Sequence, residues 1–424
     1  MKKIFAILLI GLMLVQFVSC ANDTDNINDL ENSNSTDTTE DNIPTDSNDN
    51  NNDDNDDDSN NVSDENKENE DDFVALNKNT QGIKFLGVRS IASDAQINLD
   101  WSGSGIEFVI NNQSSSLMIE ASSSDTCRFK VFVNGTLHKS ILNEEYYEIH
   151  KKGIITLQNL PTGELTIRVI KITDATLATA QLTKLVFTGN IITDKVPTDK
   201  ELYIEFIGGT EVSGMFASGG TYANQDVTAS YGYILAESME ADYSILSLAA
   251  NMALTKATDV ATIYSKASPL RDIEVNYDFA RKANVVVLDI GAVDAALSLA
   301  DQTVTAEAFA EKYEELLTAI REKNGYDCKI ICVYTPIMGA FGTAIKNICE
   351  NKMGGQSAGI YLCQRTTGEN GVLSVEENKA FYQKLEKYVE AAISGKTIGG
   401  ELGAEESGEG LNASFKDDFV PVSR

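Results

Sequence analysis

The sequence predicts a multi-domain β plus α/β protein: a jelly-roll-like β-sandwich followed by a three-layer α/β/α unit built on a parallel sheet. Between residues 83 and 187 short β runs are separated by turn residues, the rhythm of a sandwich or jelly roll. From residue 202 onward the rhythm changes to short apolar runs alternating with amphipathic helical patterns, which is how a parallel sheet covered on both faces reads. A chain of 424 residues has room for more than one core.

Residues 1–20 read as an export signal. Lys2 and Lys3 precede an apolar run from Ile4 to Val18 that is shorter than the ~20 residues a helix needs to span a bilayer. The run ends at Ser19-Cys20, the pattern of a bacterial lipoprotein signal in which Cys20 becomes the lipidated N-terminus. The bulky Phe17 keeps an ordinary secretory signal open as the alternative. The expectation is an exported chain, lipid-anchored to the cell envelope or cell surface without spanning it.

Residues 21–72 are rich in Asn, Asp, Ser and Thr and carry 20 acidic residues against the single Lys67. With almost nothing to bury, this stretch is expected to be a disordered tether, spanning roughly 40 Å on average as a flexible coil. It supplies −19 of the formal net charge of −30. Such a balance repels phosphates and disfavours a nucleic-acid partner.

Residues 73–190 form the predicted sandwich, with β runs at 83–88, 106–110, 116–120, 128–133, 153–157, 165–170 and 184–187. Asn134-Gly135 marks a hairpin and Leu160-Pro161-Thr162-Gly163 a second turn. Residues 191–394 form the α/β unit, with strands expected at 202–207, 243–248, 284–290, 329–334 and 359–362 and helices at 229–240, 306–323, 340–351 and 375–393. Phe309, Tyr313, Leu316, Leu317 and Ile320 recur at helical spacing and should face the sheet. Ser374 with Glu377 makes a capping box for the last helix. Residues 395–424 are Gly- and Glu-rich and read as a flexible tail. Beyond Cys20 the five cysteines are read as buried thiols, with a Cys349–Cys363 bond the open alternative. Cys328 and Cys332 share a strand face, but no His or further Cys completes a zinc set, so neither metal nor cofactor is expected.

The segment Leu202 to Gly214, LYIEFIGGTEVSG, runs an apolar strand into a glycine turn. It resembles the first motif of the SGNH (GDSL-like) hydrolases, strand then G-D-S-x-T-x-G with serine as nucleophile. Gly209 stands at the Asp position and Thr210 at the Ser position. Ser247-Leu248-Ala249-Ala250-Asn251 resembles the second motif, with Ala250 in place of Gly. Gly291-Ala292-Val293-Asp294 resembles G-x-N-D, with Val293 in place of Asn. Asn370-Gly371-Val372-Leu373-Ser374-Val375 leads into the last helix as the family's His-containing segment does, with Val372 at the His position. Trp101-Ser102-Gly103-Ser104-Gly105-Ile106 and the stretch from Leu160 to Ile167 are similar to the N-terminal sandwich of carbohydrate esterase family 2, so the likeness covers about residues 82–393.

That resemblance implies a flavodoxin-like α/β/α sheet, an ester hydrolase ancestry, and a glycan or acetylated polysaccharide as partner. It also implies a rewritten site. A hydroxyl without a base in hydrogen-bond reach is a poor nucleophile, and loss of one oxyanion donor costs ~100 to 1,000-fold in rate. The only histidines, His138 and His150, lie in the predicted sandwich and match no motif. The expectation is a surface-tethered, glycan-binding pseudo-esterase with no catalytic residue. An active acetyl esterase with an atypical site, and a lipoprotein serving protein contacts alone, stay open. So does different chemistry by Glu211, Asp294 and Glu369, carboxylates at strand ends that suit acid–base work or a divalent cation. Candidates for sugar contact are Trp101, Glu211, Phe216, Tyr222 and Tyr231. Tyr231 and Tyr233, two apart, cannot share a helix face, so one should be packed and one exposed.

Overall fold

The computed structural model describes residues 73–215, 217, 225–256, 264–268, 276–368 and 372–398. Cys20, Phe216, Tyr222, Glu369 and both predicted flexible segments, apart from residues 395–398, lie outside the described residues. No helix among the described residues is long and apolar enough to cross a membrane.

The first eleven strands are β1 (Phe73–Ala75), β2 (Ile83–Leu86), β3 (Ile91–Ala92), β4 (Ile97–Leu99), β5 (Gly105–Asn112), β6 (Ser116–Val133), β7 (Thr136–His138), β8 (Tyr147–Gln158), β9 (Gly163–Lys171), β10 (Ala180–Val186) and β11 (Gly189–Ile191). All pair antiparallel in one hydrogen-bonded sheet, whose main path runs β11-β5-β9-β6-β10-β4-β3. The sheet curls around a core that includes Phe108, Ile119, Phe129, Ile155 and Ile167. Strand β6 replaces two predicted strands. The intervening Ser122 to Asp125 has turn-forming residues but neither Gly nor Pro, and the chain bulges there, with a register shift against β8 between Ser122 and Thr126, and then continues. The Ser123 hydroxyl serves the bulge by donating to Asp125 O at 2.6 Å. The hairpin between β6 and β7 turns at Asn134 and Gly135, both at positive φ (51° and 76°), the conformation that favours this pair of residues.

The remaining strands are β12 (Tyr203–Gly208), β13 (Asp242–Ser247), β14 (Val285–Asp289), β15 (Lys329–Tyr334) and β16 (Ile360–Gln364). They form a parallel sheet in the order β13-β12-β14-β15-β16. Helices α1 (Tyr231–Ser238) and α5 (Val375–Ser394) pack on the face that carries Ile204 and Phe206. The opposite face, with Leu246, Leu288 and Ile330, is covered by α3 (Ala306–Asn324) and α4 (Ala340–Asn347). A short helix, α2 (Ala292–Leu297), was not legible in the sequence. The five predicted residues of α3 are all fully buried. The capping box of α5 is formed, Ser374 Oγ accepting from Glu377 N at 3.2 Å and Glu377 Oε2 accepting from Ser374 N at 2.8 Å. Cys127, Cys328, Cys332, Cys349 and Cys363 are free and buried.

Polar contacts join the two sheets. Ser102 forms an antiparallel bridge with Ile245, and Lys84 Nζ meets Asp242 at 2.7 Å. A deeper contact sits in β12 itself, where Glu205 interrupts an otherwise apolar strand and is completely buried. Its Oε1 accepts from Arg89 Nε and Nη2 at 3.1 and 3.0 Å and from the Tyr203 hydroxyl at 2.6 Å, while Oε2 accepts from the Tyr264 hydroxyl at 2.9 Å. The Arg89 guanidinium lies 4.7, 4.6 and 4.9 Å from the ring centres of Tyr264, Tyr277 and Phe279.

Candidate functional site

In an open α/β sheet the ligand crevice lies beyond the carboxyl ends of the strands, where the strand order reverses. Here that point falls between β12 and β14. The two ends approach closely because Gly208 has no side chain. A Cβ there would lie 2.5 Å from Val212 Cγ2 and 2.6 Å from Asp289 O.

The next residue, Gly209, brings three sequence blocks together, since a Cβ at that position would sit 3.1 Å from Ala249 O and 3.6 Å from Val293 Cγ2. Its carbonyl accepts the Ser247 hydroxyl at 2.9 Å. Thr210 follows, half-buried, its carbonyl accepting from Ser213 Oγ and Met215 N, both at 3.1 Å. Val372, half-buried, packs with Leu177 against the buried pair Met215 and Ala249. Ala249 adopts φ 44° in the short turn that also contains Ala250.

The histidines make their contacts elsewhere. His138 Nδ1 lies 2.6 Å from the Tyr147 hydroxyl and Nε2 lies 3.0 Å from Gln158 O; His150 Nδ1 lies 3.1 Å from Thr126 Oγ1. All these partners belong to the curled sheet.

Charge at the strand ends is gathered by a residue the sequence reading did not single out. Arg365, directly after β16, points Nε at Asp289 Oδ2 (2.9 Å) and Nη1 at Glu211 Oε1 (3.2 Å). The Tyr231 hydroxyl donates to the same Asp289 Oδ2 at 2.9 Å. Two carboxylates therefore share one buried guanidinium, Asp289 buried with it and Glu211 still 12% exposed. Burial pushes the Glu211 carboxyl up to about 7; Arg365 opposes that shift and Asp289 adds to it. The available signals were a lone Asp closing the apolar run VVVLD and a lone Arg just past YLCQ. Nearby, Thr335 Oγ1 and Gln364 Oε1, at the ends of β15 and β16, are buried polar atoms without a hydrogen-bond partner.

A pH dependence follows. Between the unfolded pKa of Glu211 near 4.5 and the folded value of about 7, the folded state holds more protons than the unfolded one, so stability falls as pH rises through that window. We expect the thermal midpoint of the parent to drop between pH 5 and pH 8, with a contribution of up to about 3 kcal/mol from this carboxyl. Glu211→Gln should flatten that part of the profile, and a Gln variant with an unchanged slope would assign it elsewhere.

Several expectations need correction. Trp101 is 4% exposed, sits in the main core and donates its indole N–H to Ala267 O at 2.9 Å, which leaves no face for a sugar. Tyr231 is fully buried, edge-on to Phe381 at 4.8 Å and to Phe206 at 6.4 Å. Tyr233 is buried as well, against Tyr243 at 5.4 Å; helix α1 lies between β-sheet and α5, so both tyrosines find packing partners. Asp294 does not join Glu211. It accepts from Leu254 N, Thr255 N and Thr255 Oγ1 at 3.2, 2.9 and 2.6 Å and so fixes the loop after β13.

A strand–glycine-turn crevice in a 2-1-3-4-5 parallel sheet, joined to a curled antiparallel sheet, defines a class of architecture. No protein-family model and no curated protein matches the sequence. Solved structures do. A family two carbohydrate esterase from Clostridium thermocellum, in complex with cellohexaose, superposes with a TM-score of 0.65 at 19% identity, over 74% of this chain and 100% of the esterase. An acetyl xylan esterase from the rumen bacterium Butyrivibrio proteoclasticus gives 0.64 at 15% identity, over 76% and 99%. A carbohydrate esterase whose active site displays divergent catalytic and non-catalytic binding functions gives 0.58 at 14% identity, over 73% and 97%. The chain has the fold of the family two carbohydrate esterases.

Proposed function

We propose that the protein is a glycan-binding relative of these esterases that does not hydrolyse esters, held at the cell envelope through Cys20 and the acidic tether. The observation that carries this reading is the surroundings of Val372. The residue at the expected base position lies among Ala249, Met215 and Leu177, while the nucleophile position carries Thr210 and the donor position Val293. Proton transfer needs a titratable group in hydrogen-bond reach, and neither valine supplies one. The unpartnered Thr335 and Gln364 atoms at the same strand ends support a polar ligand there, as does the cellohexaose bound by the Clostridium esterase. In this reading the β-rich part is the jelly roll and residues 191–394 the SGNH-like unit.

A second reading rests on Glu211. A carboxyl titrating at about 7 next to Thr210 is suited to general-base work, which would make the protein an esterase with an atypical site. The deciding assay is release of acetate from acetylated xylan and of nitrophenol from nitrophenyl acetate, with Thr210→Ala alongside. We expect parent and variant to be indistinguishable and at background. Turnover in the parent that disappears in Thr210→Ala overturns the non-catalytic reading.

A further inference from the structure

We infer that a groove at the junction of the two sheets, with Gln225 in the lining of its larger part, holds a chain of uncharged sugar units. This inference rests on the glycan-binding reading for its ligand and adds a site that lies behind the Thr210 turn, where Asp226 N donates to Gly214 O at 3.4 Å. A cavity of about 460 Å³ is lined by Arg128, Lys130, Tyr146, Gln225 and Asp226 among others. A second, of about 360 Å³, is lined by Lys130, Asp226 and, on α5, Tyr382. The two share the Lys130–Asp226 ion pair, 2.6 Å long, as their common wall.

Gln225 gives the groove its chemistry. The residue is 3% exposed, yet neither Oε1 nor Nε2 has a hydrogen-bond partner. A buried primary amide offers two donors and an acceptor, and leaving it unpaired is unfavourable. A ligand presenting adjacent hydroxyls, each both donor and acceptor, satisfies both atoms at once. The half-buried rings of Tyr146 and Tyr382 line the two cavities, and the Tyr146 ring is backed by the Arg128 guanidinium at 4.4 Å from its centre. Aromatic rings with a few placed polar groups make up the usual lining of a small-molecule site, and the apolar C–H face of a sugar fits such a ring. Two of the cations that line the groove are paired, Lys130 with Asp226 and Arg128 with Glu148 at 2.8 Å, and the third, Lys139, shares the lining with Glu144 and Glu145, so an uncharged ligand fits better than an acidic one.

The test is calorimetric titration of the full-length protein with cellohexaose and with xylohexaose, comparing the parent with Gln225→Met, Tyr146→Ala and Tyr382→Ala. Affinity of the parent for at least one hexaose should fall about tenfold or more in each variant. Gln225→Met should keep or raise the thermal midpoint, because it removes an unpaired buried amide; this separates ligand contact from a structural role. Parental affinity in all three folded variants overturns the groove and leaves the glycan-binding reading standing. Binding of neither hexaose by the parent overturns both and directs attention to an extended peptide.

Discussion

Replacing Arg89 by leucine should lower the unfolding free energy by about 3–5 kcal/mol, the range for removing one partner of a buried ion pair. The Arg89 and Glu205 side chains are each 1% exposed. In the variant Glu205 keeps its two tyrosine donors but loses the Arg89 guanidinium, in the middle of a strand with neighbours on both sides. Arg89 also donates to Tyr264 O and, at 3.3 Å, to Lys266 O, and those two bonds are lost as well. The double variant Arg89→Leu with Glu205→Leu should regain most of the loss, because replacing both members of a buried pair by apolar residues is often neutral or stabilising. Urea unfolding of parent, single and double variants gives all three values. A single variant within about 1 kcal/mol of the parent would mean that the pair is dispensable.

The second large effect concerns activity. The triple variant Thr210→Ser, Val293→Asn and Val372→His should release acetate from acetylated xylan at least about 100-fold faster than the parent, since a restored oxyanion donor alone is worth that much and a base activates the serine. The geometry favours these three positions. A Cβ on Gly209 would lie 3.6 Å from Val293 Cγ2, and Val372 packs on the turn that contains Ala249. Gly209 is best left as glycine, because a side chain there would begin 3.1 Å from Ala249 O. Adding back Val372→His last should give the largest single step, since nucleophile and base act as a unit. A folded triple variant with no gain argues against the alignment of these segments with the hydrolase motifs.

Both effects trace to features of unequal visibility in the sequence. Periodicity revealed α3, and the Ser374–Glu377 spacing revealed the start of α5, because local spacing determines which face is buried and where the backbone is capped. The Asn134-Gly135 hairpin was legible for the same reason. Strand β6 was not, because its polar middle is held by a bulge against a distant strand. Glu205 was hidden inside a run read as apolar, since its partner Arg89 is 116 residues away. Trp101 and Tyr231 looked like sugar platforms, because an aromatic side chain carries no mark of whether a neighbouring element will cover it. The pairing of Asp289 with Arg365 joins the ends of two strands 76 residues apart, and no short motif records it.

The contacts between the sheets set a rule for inheritance. Lys84 and Arg89 belong to the curled part of the chain, while their carboxylates, Asp242 and Glu205, belong to the parallel part. A recombination event that exchanged one part for an unrelated counterpart would leave Asp242 with Arg281 alone and would strand the Glu205 carboxylate inside its strand. Such chimeras should be selected against however well each half folds with its own partner. The two parts are expected to descend as a single unit and to tolerate shuffling only outside it, in the acidic tether before Phe73.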